Sequence, residues 1–278
     1  MAATLDHRKS ILFLIIAAVL WSTSGLFIKI LDWEPIAILS ARSIFSGALF
    51  LIYLRRFPTK FNRWQMLAAF GYVTTQLLFI SSTQLTTAAN SIFLQYTAPI
   101  YVIVLAYWWL HEKPTRIDWI SMAIIFAGML LFFGDELNFD GYTGNILAAL
   151  SGVAMALMMI GMRAQKDGNP AESILLANTF TAIAGFPFVW NQTWTPIDWT
   201  ILIYLGLIQI GLSFILYSAA IKHVPALDAV LIGTLEPIFN PLWVFLFIGE
   251  TPGPLALIGA IIVLIGVIVN AAANPADG

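Results

Sequence analysis

Ten apolar runs follow one another along the chain, each close to the ~20 residues a helix needs to cross the hydrocarbon core of a bilayer. They lie near 10–31, 35–54, 64–84, 87–110, 115–134, 143–164, 170–190, 198–221, 225–249 and 253–273. Short polar breaks separate them, such as "RRFPTKFNR", "HEKPTR", "QKDGNP" and "GETPGP". Only 10% of the residues are charged and 60% are hydrophobic, against roughly 25% charged in soluble domains. So few charges cannot cover a surface that faces water, so the outer surface must face lipid. None of the runs alternates like a barrel strand, which favours helices. "HRK" before the first run fits a signal peptide, but that run continues past Trp21 to Leu31 with no small-residue cleavage site at the right distance. A first membrane helix is expected instead.

Lysine and arginine set the expected orientation. With the N-terminus inside, the inner breaks carry Arg8, Lys9, Arg55, Arg56, Lys60, Arg63, Lys113, Arg116, Arg163, Lys166 and Lys222. The outer side holds Lys29 alone, and Arg42 falls within a span. This positive-inside bias, with an even number of spans, predicts that both termini are cytoplasmic.

The two halves also repeat. At one offset of 138 residues, Ala88 meets Ala226, Pro99 meets Pro237, Glu112 meets Glu250, Pro114 meets Pro252 and Gly128 meets Gly266. Five spans is an odd number, so the second copy must be threaded the opposite way. The expected fold is an all-α membrane protein of ten transmembrane helices, built as two inverted five-helix repeats (10–134 and 143–273) around a central cavity. Inverted repeats of this kind carry their substrate sites near the bilayer midplane, between the repeats.

On these marks, above all the "P…HE" and "P…GE" helix ends at Pro99–Glu112 and Pro237–Glu250, the chain resembles the drug/metabolite transporter superfamily, in its ten-helix EamA-type exporter branch. The resemblance covers about residues 10–273. It implies a multi-pass carrier of the bacterial inner membrane with a cavity between two five-helix bundles. It is nearest to aromatic-amino-acid exporters, with exporters of drugs, quaternary amines or nucleosides as the alternative. His111 departs from the glycine expected before the first-half glutamate, which puts a tight turn there in doubt.

Polarity sorts the spans further. The fifth offers Ser121 alone beyond the interface, and "GPLALIGAIIVLIGVIV" of the tenth offers nothing polar. Both suit packing or lipid exposure, with Gly259 and Gly266 permitting close backbone approach. The candidate substrate-binding residues lie elsewhere: Trp21, Arg42, Tyr72, Gln76, Gln95, Tyr96, Tyr101, Gln209, Ser213, Tyr217, Glu236, Phe239 and Asn240. Many such groups serve only to join helices. In "TLEPIFNPL", Pro237 cannot donate to the carbonyl of Gly233, nor Pro241 to that of Pro237, so a kink is expected. Glu236 and Asn240, four apart, then share one face, which should turn away from lipid. Arg42 has two readings: an ion pair with Glu236 that locks the bundle, or a receptor for a substrate carboxylate while Glu236 meets the ammonium. Glu112 and Glu250, repeated at helix ends, are expected to bond backbone at their turns. Asp228 is expected to be an N-terminal helix charge.

The chain has no cysteine and only three scattered histidines, so no metal centre or cofactor is expected. No Walker loop appears, so ATP should not drive transport directly, and no HExxH or GxSxG supports an intramembrane enzyme. A continuous polar stripe for a channel is lacking. Net charge −2 gives no nucleic-acid footprint. The expected partners are a small amphipathic substrate, such as an aromatic or large neutral amino acid, and the lipid bilayer, with a monomer as the simplest working unit.

Overall fold

The computed structural model describes residues 6–23, 27, 31–58, 61–135, 137, 141–248 and 253–273, with backbone alone at 88, 240, 241, 244, 245 and 248. Lys29, Lys60, Glu250 and Pro252 lie outside this set, as does the Asn240 side chain. Among the described residues there are ten helical rods and no strand. They are α1 (His7–Ser22), α2 (Pro35–Leu54), α3 (Arg63–Leu85), α4 (Ala88–Gln95, Ala98–Leu105 and Ala106–Leu110), α5 (Arg116–Phe133) and α6 (Tyr142–Arg163). Then come α7 (Ala171–Trp190), α8 (Pro196–Tyr204, Leu205–Leu212 and Ser213–Ala220), α9 (Ala226–Gly233 and Leu235–Ile248) and α10 (Pro254–Ala273). All but α1 and α9 are unbroken enough, long enough and apolar enough to count as membrane spans on length and composition.

Capping places the starts. Asn62, Thr115 and Thr195 each accept from the backbone three residues on, and Gln65, Asp118 and Asp198 return the bond. These capping boxes satisfy N–H groups that the first helical turn leaves without partners. The helix ends fall within two residues of the sequence expectation, except in α1. There Asp6 caps the helix by accepting from the Lys9 N–H at 2.7 Å, so it begins at His7. This segment ends at Ser22 with Thr23 as its cap, Phe27 is again helical, and residues 24–26 and 28–30 of the expected span lie outside the described residues.

The packing repeats as the sequence does. Adding five to each helix number maps α1 on α8 to α6 on α3, α1 on α9 to α6 on α4, and α2 on α8 to α7 on α3. The pairs α2–α7, α4–α9 and α5–α10 map to themselves. Two equivalent bundles result, α3/α4/α6 and α1/α8/α9. α2–α7 and α5–α10 flank them, and related helices run in opposite directions.

The α5–α10 pair shows how apolar helices hold together where lipid cancels any hydrophobic drive. A Cβ on Gly259 would come within 2.4 Å of the Phe132 backbone nitrogen, and one on Gly128 within 2.8 Å of that of Val263. Missing side chains bring the backbones together, and dispersion contacts supply the attraction. Gly266 meets Ile125 in the same seam.

At the end of α4 the turn is tight despite His111. The residue sits at φ 58°, ψ 23°, in the left-handed region, a conformation that costs a non-glycine residue about 1–2 kcal/mol. The doubt raised by the sequence is therefore resolved in favour of the turn.

Candidate substrate site between the broken helices

Helices α4 and α9 break at matching places. A proline at position i denies a hydrogen bond to the carbonyl of i−4 and crowds it. For Pro99 that residue is Gln95 and for Pro237 it is Gly233, and each is the last residue of its first helical segment. The caps are Tyr96 and Thr234, which are themselves 138 apart. Just past each break a threonine hydroxyl bonds back to the chain, Thr97 to the Leu94 carbonyl and Thr234 to the Leu231 carbonyl. The two breaks touch: the Tyr96 hydroxyl donates to Glu236 Oε2 at 2.7 Å. Discontinuous helices inside a membrane protein persist where protein or a wet path satisfies them. Counting 1.5 Å per residue, Glu236 lies roughly 15 Å along α9 from its start.

Arg42 completes the charge set. It projects from α2 about 10 Å below the Pro35 end, and is only 5% exposed. It lies within electrostatic reach of Tyr72 and Glu236. No carboxylate among the described residues comes within ion-pair distance of it, and its Nε has no hydrogen-bond partner. The locking ion pair with Glu236 that the sequence allowed is therefore not formed. The α8 segment Leu205–Leu212 is a π-helix, and Gly206 in it brings α8 onto α2 so closely that a Cβ there would meet the Arg42 carbonyl at 2.7 Å. Short π segments inside α-helices recur at functional sites.

Beside the charges is an aromatic cluster. Trp21 packs on Phe214 at 4.9 Å and on Tyr217 at 5.5 Å, and Tyr72 packs on Phe214 at 5.3 Å. Gln209, from the π segment, donates to the Trp21 carbonyl at 3.3 Å. Trp243 Nε1 donates to Ser22 Oγ at 2.8 Å. Gln76 lies within hydrogen-bonding reach of the Tyr72 hydroxyl. Four buried polar atoms in this region lack partners among the described residues: Trp21 Nε1, Arg42 Nε, Gln209 Oε1 and Tyr217 Oη. Buried polar groups are normally satisfied, so this group of exceptions singles the region out as the candidate site.

Not every candidate joins this group. Ser213 bonds its own helix, at the Gln209 and Ile210 carbonyls. Gln95 and Tyr101 make no hydrogen bond to Arg42, Tyr96 or Glu236, and Phe239 packs against the apolar core. Sequence reasoning passed over Phe214, the hub of the cluster. Its position three residues before Tyr217 on α8 was the available signal. Asp228 lies in the first turn of α9 as expected. Glu112 bonds backbone, but across the repeats at Ala226 and not within its own turn.

The two repeats pack unequally on their two sides among the described residues. His7 and Ala273 line a common cavity, so both described chain ends share a face, the termini face. Towards it, Ala226–Gly233 of α9 packs on Ala98–Leu105 of α4. The symmetry-related pair, Leu235–Ile248 and Ala88–Gln95, shows no comparable packing among the described residues.

A family model for EamA-like transporters matches the chain twice, over residues 8–134 and 142–272. The chain belongs to the EamA-like transporter family. An uncharacterised transporter of Archaeoglobus fulgidus is 24% identical over 92% of this chain and 94% of its own length. The threonine/homoserine exporter RhtA of Escherichia coli is 24% identical over 78% of this chain and 76% of its own. The pseudopaline exporter CntI of Pseudomonas aeruginosa is 24% identical over 65% of this chain and 64% of its own. One solved crystal structure superposes with a TM-score of 0.82 over 95% of this chain and 98% of that one, at 16% identity, which establishes a shared fold. The protein is a multi-pass membrane protein of a transporter family whose named relatives are exporters.

Proposed function

We propose that the protein exports a zwitterionic amino acid, with an aromatic or large neutral side chain, across the bacterial inner membrane by alternating access. Arg42 carries the reading: a buried guanidinium with no carboxylate at ion-pair distance among the described residues, facing the layer where Tyr96 and Glu236 join the two broken helices. A guanidinium presents a planar fork of donors that matches a carboxylate. Glu236 supplies the opposite charge for an ammonium. One charge of each sign fits a zwitterion better than a quaternary amine or a phosphate. Trp21, Tyr72, Phe214 and Tyr217 supply flat apolar area, in which ring pairs gain about 0.5–1.5 kcal/mol beyond burial. The similarity to an exporter named for threonine and homoserine supports the amino-acid class. Substrate and bilayer are the only partners this reading requires, and a monomer suffices.

Counterflow in proteoliposomes tests it. Labelled phenylalanine, threonine, choline and a nucleoside are offered in parallel. Accumulation of phenylalanine or threonine is expected, and movement of choline or the nucleoside alone overturns the zwitterion. The positive-inside bias supports a cytoplasmic termini face. On intact cells, an impermeant maleimide should label a cysteine at Tyr142, which is exposed, and spare one at Ser10. Labelling at Ser10 from outside would invert the topology.

A further inference from the structure

A cavity of about 490 Å³ opens at the termini face, below the layer of Arg42 and Glu236. At its wall is an ion pair across the repeats: Arg163 Nε, from α6, donates to Glu112 Oε1, at the end of α4, at 2.6 Å. The pair is fitted into the α8–α9 turn. Glu112 Oε2 accepts from the Ala226 N–H, the first residue of α9, at 2.9 Å. Arg163 Nη1 donates to the Ile221 and Lys222 carbonyls beyond the end of α8, at 2.9 and 2.8 Å. Anion at a helix start and cation at a helix end both match the helix dipoles. Through these bonds the pair holds Ala226–Gly233 where it packs on Ala98–Leu105 of α4, the contact between the repeats on the termini side.

Two features make this pair exchangeable. A guanidinium has five N–H donors, and the bonds above use Nε and Nη1. Nη2 has no hydrogen bond among the described residues. The Glu112 side chain keeps 21% exposure and that of Arg163 11%, so both border the cavity. His7, Lys113, Asp118, Asp228 and His223 also line the cavity, and burial, then Lys222 and Arg163, push the His223 imidazole below its ordinary pKa. A lone anion or cation arriving here would strand one member of the pair. A zwitterion replaces both partners at once.

We propose that this cavity is a loading station, at which a zwitterion's carboxylate takes over Arg163, its ammonium takes over Glu112, and the release of Ala226 opens the path. The assignment rests on the amino-acid reading above. It makes the latch responsive to cargo, so the gate stays shut when the station is empty.

The chain has no native cysteine, so Val230→Cys, fully buried one turn beyond Ala226, gives a single reporter. In lipid nanodiscs, saturating phenylalanine or threonine should speed its modification by a thiol reagent about tenfold or more, the scale set by losing one charge-assisted hydrogen bond. Adding Glu112→Gln should make labelling fast without amino acid. Arg163→Lys, which keeps the charge and loses the fork, should remain folded by thermal melting and blunt the response. Unchanged labelling with either amino acid, in protein that exchanges it across liposomes, overturns the station while leaving the exporter reading intact. Slow, cargo-dependent labelling in the Glu112→Gln background overturns the latch. A parent protein that exchanges neither amino acid fails the exporter reading first, and the station falls with it.

Discussion

Arg42→Gln should lower amino-acid counterflow about 100-fold or more while leaving a folded protein. The size follows from how a buried site treats a missing partner: sites built around a substrate's polar group discriminate by as much as 10⁴–10⁵ when that match is lost. Glutamine is shorter, neutral and offers one amide in place of a five-donor fork. A purely structural arginine would behave differently. Its removal would first show as a large fall in melting temperature, because stability would rest on the bonds it makes. Arg42 makes no ion pair among the described residues, and its Nε is unpartnered, so little native bonding is lost. Arg42→Lys retains the charge without the planar fork and should fall between the two. Counterflow by Arg42→Gln within a few-fold of the parent rate would remove the carboxylate receptor from the mechanism.

Glu236→Gln should cost transport by a similar factor, about 100-fold, and should also change what is carried. The amide oxygen can still accept from the Tyr96 hydroxyl, so the bridge between the broken helices survives in kind. What disappears is the negative charge opposite Arg42. The variant should then prefer a monocarboxylate of similar shape, such as phenylpyruvate, over phenylalanine. In the Arg42→Gln, Glu236→Gln double variant the charges again balance, so thermal stability should recover relative to either single change, and amino-acid transport should not. A single Glu236→Gln protein that moves phenylalanine at the parent rate would reduce the carboxylate to a structural role.

Much of this arrangement was legible in the residues, for identifiable reasons. Span limits could be read because capping residues and prolines sit at the polar breaks, as with Asn62, Thr115 and Thr195. The kinks at Gln95 and Gly233 follow from covalent geometry, since a proline acts on a carbonyl at a fixed distance back along the chain. Other features depend on tertiary packing and left no such mark. The π segment at Leu205–Leu212 has an ordinary apolar sequence, "LGLIQIGL". Phe214 is one of 20 phenylalanines, and only its neighbours Trp21, Tyr72 and Tyr217 distinguish it. The partners of Glu112 were out of reach because they come from the other repeat. A helix-end glutamate looks the same in sequence whichever backbone it bonds.

The interchangeable packing of the two bundles has a thermodynamic consequence. When α3/α4/α6 and α1/α8/α9 rock against each other, contacts given up near one membrane face have counterparts ready to form near the other. Two end states assembled from equivalent parts lie close in free energy, and a small bias shifts their populations. Such a fold is reversible by construction and stores no work of its own. The direction of net movement is then set by the gradients across the membrane and not by the fold itself.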